Sequence, residues 1–132
     1  MATPSELIKL DVCLYKKDDV SYEDFIEWIT KTYAQEVIPI MKKHGMAKWV
    51  QTVNPPHFRE PFRQQLEDMK RPLWTVPDYD IVHTYYIRGH DVLNGLRGDP
   101  KWVELEEEAL KFCNMSIGHI VIGHEIVHFE NN

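Results

Sequence analysis

Cysteine is scarce in this chain. Cys13 and Cys113 are the two present, too few for a disulfide framework, and both read as free, mostly buried thiols of an intracellular protein. Basic runs are absent as well. With 15 Lys and Arg against 21 Asp and Glu, the formal charge is −6, which excludes a nucleic-acid surface and leaves no polybasic patch for a membrane. No apolar stretch approaches transmembrane length. Glu6, Lys9 and Asp11 interrupt Met1 to Val12, so an ordinary signal peptide is not expected and the protein is read as cytoplasmic. What is present is a 132-residue chain with 43% hydrophobic residues, enough for one domain spanning residues 1–132 with a real core.

Histidine is plentiful, with seven in the chain, and two of them raise a question of chemistry. His124-Glu125-Ile126-Val127-His128 matches the zinc-protease pattern, which works because positions i and i+4 of a helix reach one metal ion. On a strand the same two residues lie about 13 Å apart. Here Ile117, Ile120, Val121, Ile122, Ile126, Val127 and Phe129 favour a strand, and Gly118 and Gly123 interrupt a helix. A third ligand has almost no chain left to come from. The motif is read as a coincidence, with no metal.

The element order follows from periodicity. Glu6 to Lys16 alternates, with Ile8, Leu10, Val12 and Leu14 on one face, as a half-buried strand does. Ser21 starts a helix with Asp24 in capping-box spacing. Its inner stripe is Phe25, Ile29, Tyr33, Val37, Ile40 and Met41; Pro39 should bend or split it, and Gly45 should end it. A second strand spans Lys48 to Val53. Residues 54–78 hold five of the eight prolines and frame a short amphipathic helix with the stripe Phe58, Phe62, Leu66 and Met69. A third strand runs from Tyr79 to Ile87, helices cover His90 to Leu96 and Lys101 to Phe112, and a final strand covers Met115 to Phe129. This predicts an α+β, ferredoxin-like βαββαβ fold with an extra short helix between strands 2 and 3. The sheet face turned away from the helices needs a cover, so a homodimer is expected.

The stretches Lys16 to Trp28, Val37 to Gly45, Arg71-Pro72-Leu73-Trp74, Asp78-Tyr79-Asp80, Asp99-Pro100-Lys101-Trp102 and Ser116-Ile117-Gly118 together resemble EthD-domain proteins. The resemblance implies the dimeric α/β-barrel fold. It points further to small members of fungal aromatic polyketide pathways, and so to a decarboxylase acting on an aromatic polyketide carboxylic acid without cofactor or metal. The chain departs from that group at Tyr33, where its members usually carry a histidine.

Barrels of this kind enclose a pocket, and polar residues pointing inward from strands are the natural candidates. The wholly apolar face of the first strand should pack on helices, leaving Asp11, Cys13 and Tyr15 towards the cavity. Tyr33 or Tyr85 would polarise a carbonyl and His83 or His124 would deliver a proton. Asp11, Tyr15, Phe62 and His119 would contact substrate. The proline-framed segment would serve as a lid or as a sheet-edge cover. Glu104 to Glu108 read as a solvated helix face, and His44 and His90 as capping or solvated residues. The same pocket would also serve a polyketide cyclase, dehydratase or isomerase. A non-catalytic barrel holding a ligand or haem is the alternative from another class.

Overall fold

The computed structural model describes residues 5–132; the residues before Ser5, part of the N-terminal stretch discussed above, lie outside it. Strands β1 (Ile8–Leu14), β2 (Lys48–Val53), β3 (Ile81–Ile87) and β4 (His119–His124) form one four-stranded antiparallel sheet in the order β2-β3-β1-β4. Helices α1 (Tyr22–Glu27), α2 (Tyr33–Lys43), α3 (Arg59–Asp68), α4 (His90–Arg97) and α5 (Pro100–Ala109) connect them. The architecture is the expected α+β ferredoxin-like fold with an extra helix, α3, between β2 and β3.

Register assigns the two faces. Leu10 lies opposite Tyr85 and Val12 opposite His83, while Gln51 faces His83 from the other side. These residues share the helix-covered face with Ile8, Leu14, Ile81 and Ile87, because side chains alternate along a strand. Asp11, Thr84 and Val121 are paired on the opposite face. The core is the helix-covered layer, where Phe25, Val37, Ile81 and Ile87 have no solvent exposure.

The stripe from Phe25 to Met41 is buried throughout, and its spacing explains an unusual turn. Apolar residues at 25, 29, 33 and 37 repeat every four positions. A helix of 3.6 residues per turn overshoots by about 40° at each such step. The chain corrects the drift with a π segment, Trp28–Thr32, between α1 and α2. In it the Tyr33 N–H donates to Trp28 O, and the Thr30 hydroxyl donates to Ile26 O at 2.6 Å. Pro39 does not split the helix; it sits inside the continuous α2, and the break in the α-helical pattern, the π segment, lies earlier in the chain. Ser21 caps α1 by accepting from the Asp24 N–H at 3.1 Å, and Gly45 follows α2 in the left-handed region, φ +79°.

Two strands are shorter than their composition predicts, and pairing gives the reason. In β4, His124 pairs with Ile8, the first residue of β1, and His119 with Cys13; past His124 β1 offers no partner. Residues 125–132 therefore carry no regular structure, and the His124-to-His128 stretch is not helical. Likewise β3 begins at Ile81, opposite Leu14, rather than at Tyr79. Helix α5 ends at Ala109 instead of Phe112. No helix among the described residues is long and apolar enough to cross a membrane.

Candidate active site

A cavity of about 290 Å³ lies between the sheet and the helices. Leu10, Val12 and Leu14 of β1 form one wall. His83 and Tyr85 of β3 meet Trp28, Ile29 and Tyr33 of the first helical unit, and Trp102 and Glu106 of α5 complete the lining with Arg97 and Cys113. The lining is mostly apolar, so its few polar groups act in a poorly hydrated space where each hydrogen bond counts for more.

His83 and Tyr85 are the buried polar pair. His83 Nδ1 lies 3.0 Å from Tyr85 Oη, and His83 Nε2 lies 3.3 Å from Gln51 Nε2. Gln51 Nε2 also donates to Ile29 O at 3.0 Å. Around the imidazole stand Trp49 and Tyr33, with ring centroids 5.4 and 5.9 Å away. Trp28 leans on Tyr33 at 5.4 Å and stacks on Phe112 at 4.3 Å. Burial lowers the His83 pKa from the ordinary 6.5 to about 4, so the ring is neutral at physiological pH. Burial raises the hydroxyls of Tyr33 and Tyr85 well above their ordinary 10, and negative charge at Glu106 pushes in the same direction. Both tyrosines are therefore hydrogen-bond donors and not bases. The Cys113 thiol is pushed up to about 12, chiefly by burial, which leaves it unreactive. Both cysteines are free and buried.

Of the four residues expected to carry chemistry, the structure brings together Tyr33, His83 and Tyr85. It separates His124, which ends the exposed edge strand and contacts Ser5 O at 2.9 Å and Leu7 O at 3.1 Å through Nδ1. The residues expected to contact substrate lie elsewhere. Asp11 is on the other sheet face, where it accepts from the Thr84 hydroxyl at 2.6 Å. Tyr15 and His119 flank Tyr79, at centroid distances of 5.2 and 5.5 Å. Cys13 is on the same wrong face. The inference failed because the apolar face of β1 both packs on helices and walls the cavity between them. Phe62 is exposed on α3, and no residue of the proline-framed segment lines the cavity, so that segment is not its lid. Arg59 ties it down instead, donating to Asn54 O, Tyr79 O and Asp80 Oδ1 at 2.9, 2.8 and 3.2 Å.

Sequence reasoning missed Gln51, Arg97, Trp102 and Glu106. Glu106 belongs to the acidic run read as a solvated face and is exposed as that reading expects, but it also accepts from the Trp102 indole N–H at 2.6 Å and lines the rim of the cavity. Its i, i+4 spacing from an amphipathic tryptophan was the available signal. His44 is more than a solvated helix end. Its Nε2 meets Asp99 Oδ2 at 2.8 Å, and the Lys43 ammonium joins them at 3.1 Å. The hydrogen bond from His44, then that from the Lys101 N–H, hold the Asp99 carboxyl down at about 2. This cluster joins the end of α2 to the start of α5.

Comparison with known proteins agrees with this fold. The chain is 29% identical over 126 residues to a protein of Pestalotiopsis fici named dehydratase iacD, covering 96% of this chain and 91% of that one. It is 26% identical over 129 residues to a conidial pigment biosynthesis dehydratase of Metarhizium robertsii, covering 97% and 89%. A solved dimeric ferredoxin-like protein of Bacteroides fragilis superposes with a TM-score of 0.61 at 13% identity, covering 93% of this chain and 100% of that one. An EthD family protein of Bacillus halodurans superposes with a TM-score of 0.53 at 19% identity, covering 90% and 98%. The sequence profile of the EthD domain matches residues 17–116, and the chain belongs to the EthD domain family.

Proposed function

We propose that this protein is a dehydratase that removes water from a hydroxylated aromatic-polyketide ketone. The observation that carries the site is the hydrogen-bonded His83–Tyr85 pair beside an apolar cavity. The choice of dehydration is supported by the names of the two fungal relatives, each matched over nearly its whole length. A cavity of about 290 Å³ is at the lower end of ligand pockets and suits a compact fused-ring substrate.

In the proposed reaction the substrate carbonyl oxygen accepts a hydrogen bond from Tyr85, with Tyr33 as a second donor. The Glu106 carboxylate takes the proton on the carbon next to the carbonyl. Negative charge moves onto the oxygen, where the tyrosine donors stabilise it. The electron pair then forms the new C=C bond as the C–O bond to the neighbouring carbon breaks. The leaving oxygen takes the proton back from Glu106 and departs as water. One carboxylate thus serves as base and then as acid, and no cofactor enters the scheme. Aromatisation of the product supplies the driving force.

Decarboxylation, the reaction suggested by the resemblance, has weaker support. A substrate carboxylate would meet the Glu106 carboxylate, and both named fungal relatives are dehydratases. The deciding assay incubates purified protein with a β-hydroxy ketone of this class and one bearing a carboxyl group, and follows mass. Loss of water above the buffer rate supports the proposal, and loss of CO₂ alone overturns it. Replacing Glu106 with Gln should lower kcat by roughly 10²–10⁴-fold; an unchanged rate would remove Glu106 from the scheme. We further propose that the working form is a homodimer. Its support is the exposed apolar strand β4 and the fold shared with dimeric proteins.

A further inference from the structure

We infer that Gln51 is a positioning residue, whose amide fixes His83 as the Nδ1–H tautomer and so turns the Tyr85 hydroxyl proton into the cavity. The inference rests on the reading above in one respect only, that this proton meets the substrate oxygen.

Four groups form a hydrogen-bonded chain from the helix to the sheet. Ile29 O is a backbone carbonyl and can only accept. It lies in the π segment, where the hydrogen-bond ladder is looser than in an α-helix, and it accepts from Gln51 Nε2 at 3.0 Å. That contact fixes which end of the Gln51 side chain is the NH₂ group. The second hydrogen of the same nitrogen faces His83 Nε2 at 3.3 Å, so Nε2 must be the bare, accepting nitrogen of the ring. The ring is buried and uncharged, and a neutral imidazole carries one proton. That proton is then on Nδ1, which donates to Tyr85 Oη at 3.0 Å. With its oxygen occupied as acceptor on that side, the Tyr85 O–H is left to point elsewhere, and the elsewhere is the cavity that Tyr85 lines.

Reversing any link produces a clash of like groups. Were the proton on Nε2, two N–H groups would face each other. Were the Gln51 amide flipped, its oxygen would face Ile29 O. The chain therefore has one arrangement in which all four groups are satisfied, and Gln51 connects the helix to the strand.

The test is nitrogen-15 NMR of the histidine rings, with His83 assigned by comparison with a His83→Gln variant. Long-range couplings distinguish a protonated ring nitrogen from a bare one. The wild-type protein should show His83 protonated at Nδ1 and bare at Nε2. The Gln51→Met variant, close in size but without a donor, should show a mixture of tautomers, with kcat lowered roughly two- to tenfold and KM nearly unchanged. The Gln51→Glu variant presents an acceptor and should move the proton to Nε2. If the wild-type ring is protonated at Nε2, or if the Gln51→Met and Gln51→Glu rings both keep the wild-type tautomer, the inference is wrong. These readings need no substrate, so failure of the dehydration assay would count against the proposed reaction and leave the tautomer to be judged separately.

Discussion

At the scale of single residues, His83 couples the site to stability. Its folded pKa of about 4 lies below the ordinary 6.5, so the unfolded chain takes up a proton first as the medium is acidified. The stabilisation is complete above pH 6.5 and is lost progressively between 6.5 and about 4, amounting to roughly 3 kcal/mol. Urea unfolding at several pH values should show this slope in the wild type, and the His83→Gln variant should lack that share of it. Equal slopes would mean that the imidazole is not held neutral by burial. Strand alternation made His83 and Tyr85 visible in the sequence; helical spacing placed Tyr33 in the buried stripe, and the family resemblance, from which it departs, made it a candidate. Glu106 was hidden because a carboxylate in the run Glu104 to Glu108 looks the same whether it faces water or a cavity rim. Gln51 was hidden because its role depends on a carbonyl 22 residues away in sequence. His119 and His124 misled for the opposite reason, since their strand is exposed along its whole length.

At the scale of elements, the π segment shows how a sequence pattern can demand a departure from regular structure. Four-residue spacing kept from Phe25 to Val37 was legible as a buried stripe, but taking it for a plain helix hid the correction it required. Pro39 drew attention to the wrong place, because a proline inside a helix can be tolerated where the neighbouring chain holds the helix down. Deletions give a sharp test. Removing Thr30 takes out the extra residue of the wide turn and restores ordinary α-helical connection, with residues on either side kept on the core face. Removing exposed Glu36 instead turns the rest of α2 by about 100° and carries Val37, Ile40 and Met41 out of the core. The Thr30 deletion should retain a cooperative thermal transition by circular dichroism, and the Glu36 deletion should lose it. If both variants unfold alike, the π segment is not the register correction described here.

At the scale of the whole molecule, β4 is an edge strand with apolar side chains on both faces. Ile120, Val121 and Ile122 are 67%, 60% and 54% exposed, and Phe129 beyond them is 81% exposed. An open edge of this kind invites pairing and aggregation unless something covers it, and these side chains recover the hydrophobic stabilisation only when they leave water. A second copy satisfies both requirements in the proposed homodimer. The cavity gives the association a functional consequence. Ile120 and Met115 line it while remaining exposed, so the cavity opens towards the β4 side, and a partner seated there narrows its mouth and excludes water. Light scattering should return about 31 kDa, twice the 15.7 kDa chain. Val121 points away from the cavity, so Val121→Asp places a charge in the interface without entering the site. That variant should scatter as a 15.7 kDa monomer and show a higher KM, because the mouth is left open. A wild-type monomer at micromolar concentration, or a Val121→Asp dimer with wild-type kinetics, would place the cover of β4 somewhere other than a second copy.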